Sequence, residues 1–290
     1  MRMRKPAVAG MFYQKGEVSL QRQIKECFEG ERGPGAVPPT VQKQKRSDTP
    51  KAVIAPHAGY PYSGQCAAWS YKAIGDAPKA DVYIIIAPSH KAPRSGLTQQ
   101  TFETPLGMVR TDQDLARRLT AKGTIKEDDD LHVEEHAVEV QLPFLQFVHS
   151  DVKEQLKILP ILVSNDIDLQ QLSIDLKEVL VDTGKNAVFV VSTDFTHYGR
   201  RFNYVPFSSN VQENIGRLDK GAFDLIRKGD ADGFLSYVEK NLATICGADA
   251  VALLLKTLKF SKAHLEQYYT SAAVTGDERN SVSYASMVFR

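Results

Sequence analysis

Residues 81–90 read Asp-Val-Tyr-Ile-Ile-Ile-Ala-Pro-Ser-His. A short apolar run rich in β-branched residues is the pattern of a strand covered on both faces of a sheet. Pro88 closes it, because proline brings no N–H to a ladder and fixes its own φ. His90 is thereby set just beyond the carboxyl end of a central strand, the rim where open α/β sheets bind ligands.

Two further stretches share the design. Residues 51–57, Lys-Ala-Val-Ile-Ala-Pro-His, continue as Ala58-Gly59-Tyr60, and residues 187–197, Ala-Val-Phe-Val-Val-Ser-Thr-Asp-Phe-Thr-His, continue as Tyr198-Gly199. One histidine after a strand is ordinarily a structural residue. Three of the chain's seven histidines in post-strand loops point to a shared site.

The intervening segments carry helical periodicity. Helices are expected over 19–30 (Ser19 as cap, with Leu20, Ile24, Cys27 and Phe28 as the apolar face), 64–74, 112–122, 169–183, 210–228 and 232–242. Another is expected to open near Cys246 and run to about residue 259. A helix bent at Pro143 is expected over 131–145, with Glu135 and His136 at its N-terminal end. Residues 91–110 read as irregular or hairpin-like, and 156–164 as a strand. The alternating stretches 264–275 and 281–289, joined through Gly276-Asp277, read as an antiparallel pair finishing the sheet. Alternating strands and helices predict a three-layer α/β/α sandwich around a mixed, mostly parallel sheet. The 290 residues fit one such domain, with 31–50, containing four prolines, two glycines and a basic run, as a surface loop.

Composition excludes several function classes. With 42% hydrophobic and 24% charged residues the chain can build a large core, and a net charge of +1 gives no electrostatic case for nucleic acid or an anionic membrane. No apolar run approaches the roughly 20 residues of a membrane helix. The basic N-terminus lacks the apolar centre of a signal peptide, so a cytoplasmic location is expected. Three widely spaced cysteines do not make a disulfide framework.

His57, His90 and Cys246 form the candidate metal set, with Asp194 and His197 nearby. Two imidazoles and one anionic ligand leave open positions on iron, copper or zinc. Cys246 stands at or just before a helix N-terminus, where the helix dipole favours a thiolate. Asp194 could orient His197 as an acid or base near neutral pH. Tyr60, Tyr62 and Tyr198 could stack on an aromatic ligand, and Arg200 and Arg201 could receive a carboxylate or phosphate.

The stretches Arg4-Lys-Pro-Ala-Val-Ala-Gly-Met-Phe-Tyr13, Pro56-His-Ala-Gly-Tyr-Pro-Tyr-Ser-Gly64, Pro88-Ser-His90, Glu135-His136, Ser192-Thr-Asp-Phe-Thr-His-Tyr-Gly199 and Ile245-Cys-Gly247 together resemble the Memo family, over nearly the whole chain. That family is similar in fold to the class III extradiol dioxygenases, which open catechol rings with Fe(II) held by two histidines and a glutamate. The resemblance implies His57, His90 and Cys246 at the metal positions of a mononuclear centre, with Fe(II) or copper favoured and zinc a third choice. It implies His197 at the catalytic histidine position with Asp194 beside it. Glu135 and His136 join Tyr60, Tyr62 and Tyr198 as expected binding residues. The cysteine departs from the dioxygenase carboxylate and speaks against ordinary catechol cleavage. Animal members are described as binding phosphotyrosine peptides and as metal-linked redox proteins; microbial members tend to be encoded beside a radical-SAM protein and an AMMECR-type protein.

Three functions follow as expectations. A metal-dependent redox enzyme would act on a small aromatic or peptide substrate at the rim. A binding module would keep the pocket without chemistry, and a zinc hydrolase-like protein would bind zinc without redox activity.

Overall fold

The computed structural model describes residues 3–38 and 49–290. The basic run at 43–46 lies outside the described residues. The strands are β1 (Met3–Arg4), β2 (Ala52–Ala55), β3 (Val82–Pro88), β4 (Gly96–Leu97), β5 (Thr101–Thr104), β6 (Gly107–Thr111), β7 (Lys157–Val163), β8 (Ala187–Ser192), β9 (His197–Gly199), β10 (Ala263–Thr270) and β11 (Asn280–Phe289). The helices are α1 (Glu17–Glu29), α2 (Tyr60–Gly75), α3 (Gln113–Ala121), α4 (Asp129–Val133), α5 (Gln141–Val148), α6 (Leu169–Thr183), α7 (Val211–Lys228), α8 (Ala231–Asn241), α9 (Ala248–Thr257) and α10 (Ser271–Thr275).

The strands form one mixed sheet in the order β1-β5-β6-β7-β3-β8-β2-β11-β10, with β4 on β7 and β9 on β11. Its centre, β7-β3-β8-β2, is parallel throughout. The alternation of side chains divides each central strand between two cores. Tyr83, Ile85 and Ala87 of β3 meet Leu20 and Phe28 of α1, Tyr71 of α2 and Phe144 of α5. Val82, Ile84 and Ile86 face Leu115 of α3, Leu172 of α6, Phe223 of α7, Phe234 of α8 and Leu254 of α9. This is the expected α/β sandwich. Among the described residues, no helix is long and apolar enough to cross a membrane.

Several boundaries differ from expectation for local reasons. Helix α1 starts two residues early, at Glu17, and Ser19 does not cap it; its hydroxyl donates to the Gly16 carbonyl. Helix α2 starts at Tyr60, with Pro61 in its first turn, where a proline's missing N–H is not needed. The helix expected over 131–145 is two helices, α4 and α5. Between them the Glu135 carboxylate accepts the backbone N–H groups of Ala137 and His90, which holds the chain out of helical register. Pro143 bends nothing, because it lies in the first turn of α5. At the end of the chain, β10 stops at Thr270 and α10 intervenes before β11, so only the antiparallel pairing itself was anticipated.

What this topology does for the site is simple. β3, β8 and β2 are adjacent and parallel, so the chain leaves all three at the same edge. His90, Asp194 and His57 follow directly.

Candidate metal centre and cleft

His57 is 3% exposed and lies beneath a cleft. Its backbone N–H donates to Asp194 Oδ1 (2.9 Å), and its Nδ1 lies 3.0 Å from Ser192 Oγ. The surroundings of Ser192 decide which nitrogen carries the proton. The Ser192 hydroxyl donates to the Ala137 carbonyl (2.6 Å), which uses its one proton, and it also accepts from Gln141 Nε2 (2.8 Å). It can only accept from His57, so Nδ1 holds the hydrogen. Nε2 is left with its lone pair, 3.2 Å from Cys246 Sγ. Burial, and the neighbouring histidines after it, push the His57 pKa well below its usual value and keep the ring neutral.

His90 reaches the same sulfur by another route. Glu135 grips it twice: Oε2 accepts the His90 backbone N–H (2.7 Å) and Oε1 lies 3.0 Å from Nδ1. Nε2 is therefore the nitrogen turned to Cys246, with which His90 hydrogen-bonds. Burial opposes protonation of His90, but the hydrogen bonds and charges of Cys246 and Glu135 overcome it and lift the pKa to about 10. Glu135, although buried, is held down at about 2, because His90 and the Ala137 N–H outweigh the desolvation that would raise it.

Cys246 sits one residue before the cap of α9, as expected. Its sulfur accepts the Asp194 backbone N–H at 3.3 Å and has the Thr193 hydroxyl at 3.7 Å. Gly247 permits this approach. A Cβ there would lie 2.6 Å from Thr193 Cβ. The donor atoms of His57, His90 and Cys246 all lie within 4.8 Å of one another, and a second group of the same kind, His90, Glu135 and His136, shares His90.

Above this cluster is a cleft of about 610 Å³, whose walls include Phe12, Tyr62, His136, His197, Arg201 and Phe202. His136 stacks on His90 (ring centroids 5.0 Å, 16° between planes) and is packed against Phe12. Burial depresses its pKa to about 4. The His197 Nδ1 lies 2.9 Å from the Phe195 carbonyl and 2.8 Å from that of Thr244, two pure acceptors, so Nδ1 carries a hydrogen. The Nδ1 partners of that ring are these two carbonyls and not the Asp194 carboxylate. Asp194 Oδ1 accepts the His57 N–H, its carboxylate also accepts the Ala58 N–H, and burial raises its pKa despite the opposing charge of His197.

Two of the three tyrosines expected to meet a ligand are core residues. Tyr60 is 4% exposed, packs on Phe144 and donates to the Val140 carbonyl (2.7 Å). Tyr198, also 4% exposed, stacks on Phe207 and donates to its carbonyl. Tyr62 alone lines the cleft, and of the two arginines only Arg201 does.

Sequence reasoning also missed what the N-terminal stretch is for. Arg4, 2% exposed, pairs with the fully buried Glu139 and donates to the carbonyls of His132 and Glu135. Glu139 also accepts the Ala7 and Val8 N–H groups and the Tyr13 hydroxyl. This network ties residues 4–13 to the loop that carries Glu135 and His136 and sets Phe12 at the cleft wall. A charged pair ten or more helical turns apart in sequence leaves no local pattern; the only available hint was an arginine beside a Pro-Ala-Val-Ala-Gly turn.

The model of the family described as Memo-like protein matches residues 4–288. The chain is 34% identical over 301 residues to a MEMO1 family protein of Methanopyrus kandleri, with 99% of each chain covered. It is 35% identical over 298 residues to one of Pyrobaculum aerophilum, covering 100% of this chain and 99% of the relative. A third, from Thermotoga neapolitana, is 33% identical over 293 residues, with 99% of each covered.

Proposed function

This chain belongs to the Memo family, and from that premise we propose that it is a metal-dependent redox enzyme. In this reading His57, His90 and Cys246 hold one ion beneath the cleft, and the cleft receives a small aromatic or peptide substrate. The observation that carries the reading is the convergence of three donor atoms within 4.8 Å, two of them on imidazole rings held at Nδ1 by Ser192 and Glu135.

The donor set suits the ion. Nitrogen and sulfur ligands of intermediate softness fit iron, copper or zinc, and the first two would supply redox chemistry and open ligand positions. The Asp194 N–H directed at the sulfur stabilises an anionic ligand there. Asp194 itself works through the backbone, fixing the turn from which His57 projects. His197, held at Nδ1 by two carbonyls, leaves its Nε2 as the nitrogen that serves a substrate hydroxyl in proton transfer. Phe12, Tyr62 and Phe202 give the substrate aromatic surfaces, and Arg201 gives a fork for a carboxylate or phosphate.

The test is the metal content of protein purified without oxygen, compared among wild type, His57→Ala, His90→Ala and Cys246→Ser. Near-stoichiometric iron or copper lost in all three variants, with oxygen uptake abolished by His57→Ala, is the expected result. A wild type that refuses added Fe(II), Cu(I) and Zn(II) ends the reading. The cleft's own aromatic and arginine lining supports one alternative, a recognition module, for which ligand binding would survive removal of the metal.

A further inference from the structure

Among the described residues, Glu135 is a costly side chain to have where it stands. Its carboxylate is 1% exposed, yet it has no lysine or arginine side chain hydrogen-bonded to it. A buried carboxylate is normally compensated by such a partner or by several directed N–H donors. Glu135 has the second kind: the backbone N–H of His90, the Nδ1 side of the same histidine and the N–H of Ala137, with His136 Nδ1 also 3.2 Å from Oε1.

Two of those four contacts, the shortest to a backbone N–H among them, go to His90. One carboxylate oxygen holds the His90 backbone and the other its ring, 2.7 and 3.0 Å away. The pair closes a loop through Cα, Cβ and the imidazole, so neither side-chain torsion of His90 can change without breaking a contact. The ring cannot flip to present Nδ1 to the cleft.

Resting on the metal reading above, we propose that Glu135 is the positioning residue of the centre, setting the tautomer and direction of His90 so that Nε2 is its ligand atom. Ser192 performs the same task for His57 with a neutral hydroxyl. Outer partners of this kind orient a ligating histidine, and a carboxylate also makes the imidazole a stronger donor. The centre is therefore asymmetric, with His90 the stronger of the two nitrogen ligands. Glu135 does not touch the ion. Its oxygens face His90, Ala137 and the Nδ1 of His136, and it acts on the centre through the His90 ring.

The proposal is tested with zinc as the probe, on the full chain. Nitrogen-15 NMR of the zinc-loaded wild type should find the His90 proton on Nδ1 and zinc-dependent shifts at Nε2. Chelator competition should find zinc bound about 10- to 100-fold more weakly by Glu135→Gln, the range for loss of such a partner. His90 in that variant should become a mixture of tautomers. A proton on Nε2 in the zinc-loaded wild type overturns the proposal without recourse to any variant. So does a Glu135→Gln protein that binds zinc as tightly as wild type with Nδ1–H retained, whatever its melting temperature. A wild type that binds none of zinc, Fe(II) and Cu(I) overturns the metal reading and this proposal together, whereas the two preceding outcomes leave the metal reading standing.

Discussion

Strand β2 ends on a histidine that is 3% exposed, and strand β3 ends on one whose side chain is 30% exposed. Both present Nε2 to Cys246, but the means differ. The His57 arm is an interior network of neutral groups, in which Ser192 is shared among a histidine, a glutamine and a backbone carbonyl. The His90 arm is a charged clamp at the rim, in which one carboxylate holds both the backbone and the ring of His90 and also lies beside His136. The interior arm is thus part of the core and carries fold stability with it. The rim arm is a device added to a loop, and its loss should fall on the centre more than on the fold.

The severest way to break this contrast is to delete the ligands. His57→Ala, His90→Ala and Cys246→Ser should each lower metal affinity beyond the ~100-fold that loss of an outer partner brings, measured by chelator competition. If His57→Ala left the affinity within a few-fold of wild type while His90→Ala abolished it, the interior arm would not be a ligand arm at all.

Ser192→Ala probes the interior arm's second burden. It strands the His57 Nδ1–H and the Ala137 carbonyl, and removes one acceptor from Gln141, which keeps the Pro56 carbonyl. Each buried polar group left unpaired costs about 1–3 kcal/mol, so chemical denaturation of the metal-free variant should show a loss of a few kcal/mol. Glu135→Gln should cost less stability and more metal affinity. The reverse ranking would refute the division of labour between the arms.

The two arms also titrate with opposite signs. A histidine whose folded pKa is depressed contributes stability that is present above its unfolded pKa near 6.5 and lost as pH falls through the folded value. His57 is of this kind, as are His136 and His132, the last two depressed to about 4 chiefly by burial. For His132 alone, 1% exposed, that shift corresponds to roughly 3 kcal/mol. His90 is raised to about 10, so its contribution is complete below 6.5 and lost as pH rises toward 10. The melting temperature of metal-free protein should therefore fall between pH 6.5 and 4, and again as pH rises toward 10. Glu135→Gln should flatten the alkaline limb and leave the His132 part of the acid limb.

Much of this was written locally in the sequence. The runs before His57, His90 and Asp194 read as strands because a parallel sheet covered on both faces needs unbroken apolar segments. Their shared exit edge follows from the fold class, and with it the grouping of the histidines. Direction within a loop was not legible. Residues 131–145 carry helical spacing at Val138, Leu142 and Leu145, yet Glu135 diverts the chain through bonds to His90, a residue 45 positions away. The aromatic cleft walls were equally hidden, since Phe12 and Phe202 arrive from segments whose neighbourhood only tertiary structure creates.

Tyr60 and Tyr62 give the smallest and sharpest test, because they stand two residues apart on one helix and the sequence treats them alike. A helix turns about 100° per residue, so positions i and i+2 point to different sides. Since α2 begins at Tyr60, that residue faces Phe144 in the core while Tyr62, 46% exposed, faces the cleft. Tyr60→Phe removes only the hydroxyl bonded to the Val140 carbonyl and should cost about 1 kcal/mol of stability, with ligand binding unchanged. Tyr62→Ala should leave stability within about 0.5 kcal/mol of wild type and weaken any aromatic ligand of the cleft by several-fold. Denaturation and ligand titration on the two variants would show whether the boundary between core and cleft runs between these neighbours; a Tyr60→Phe variant that lost ligand affinity would move it.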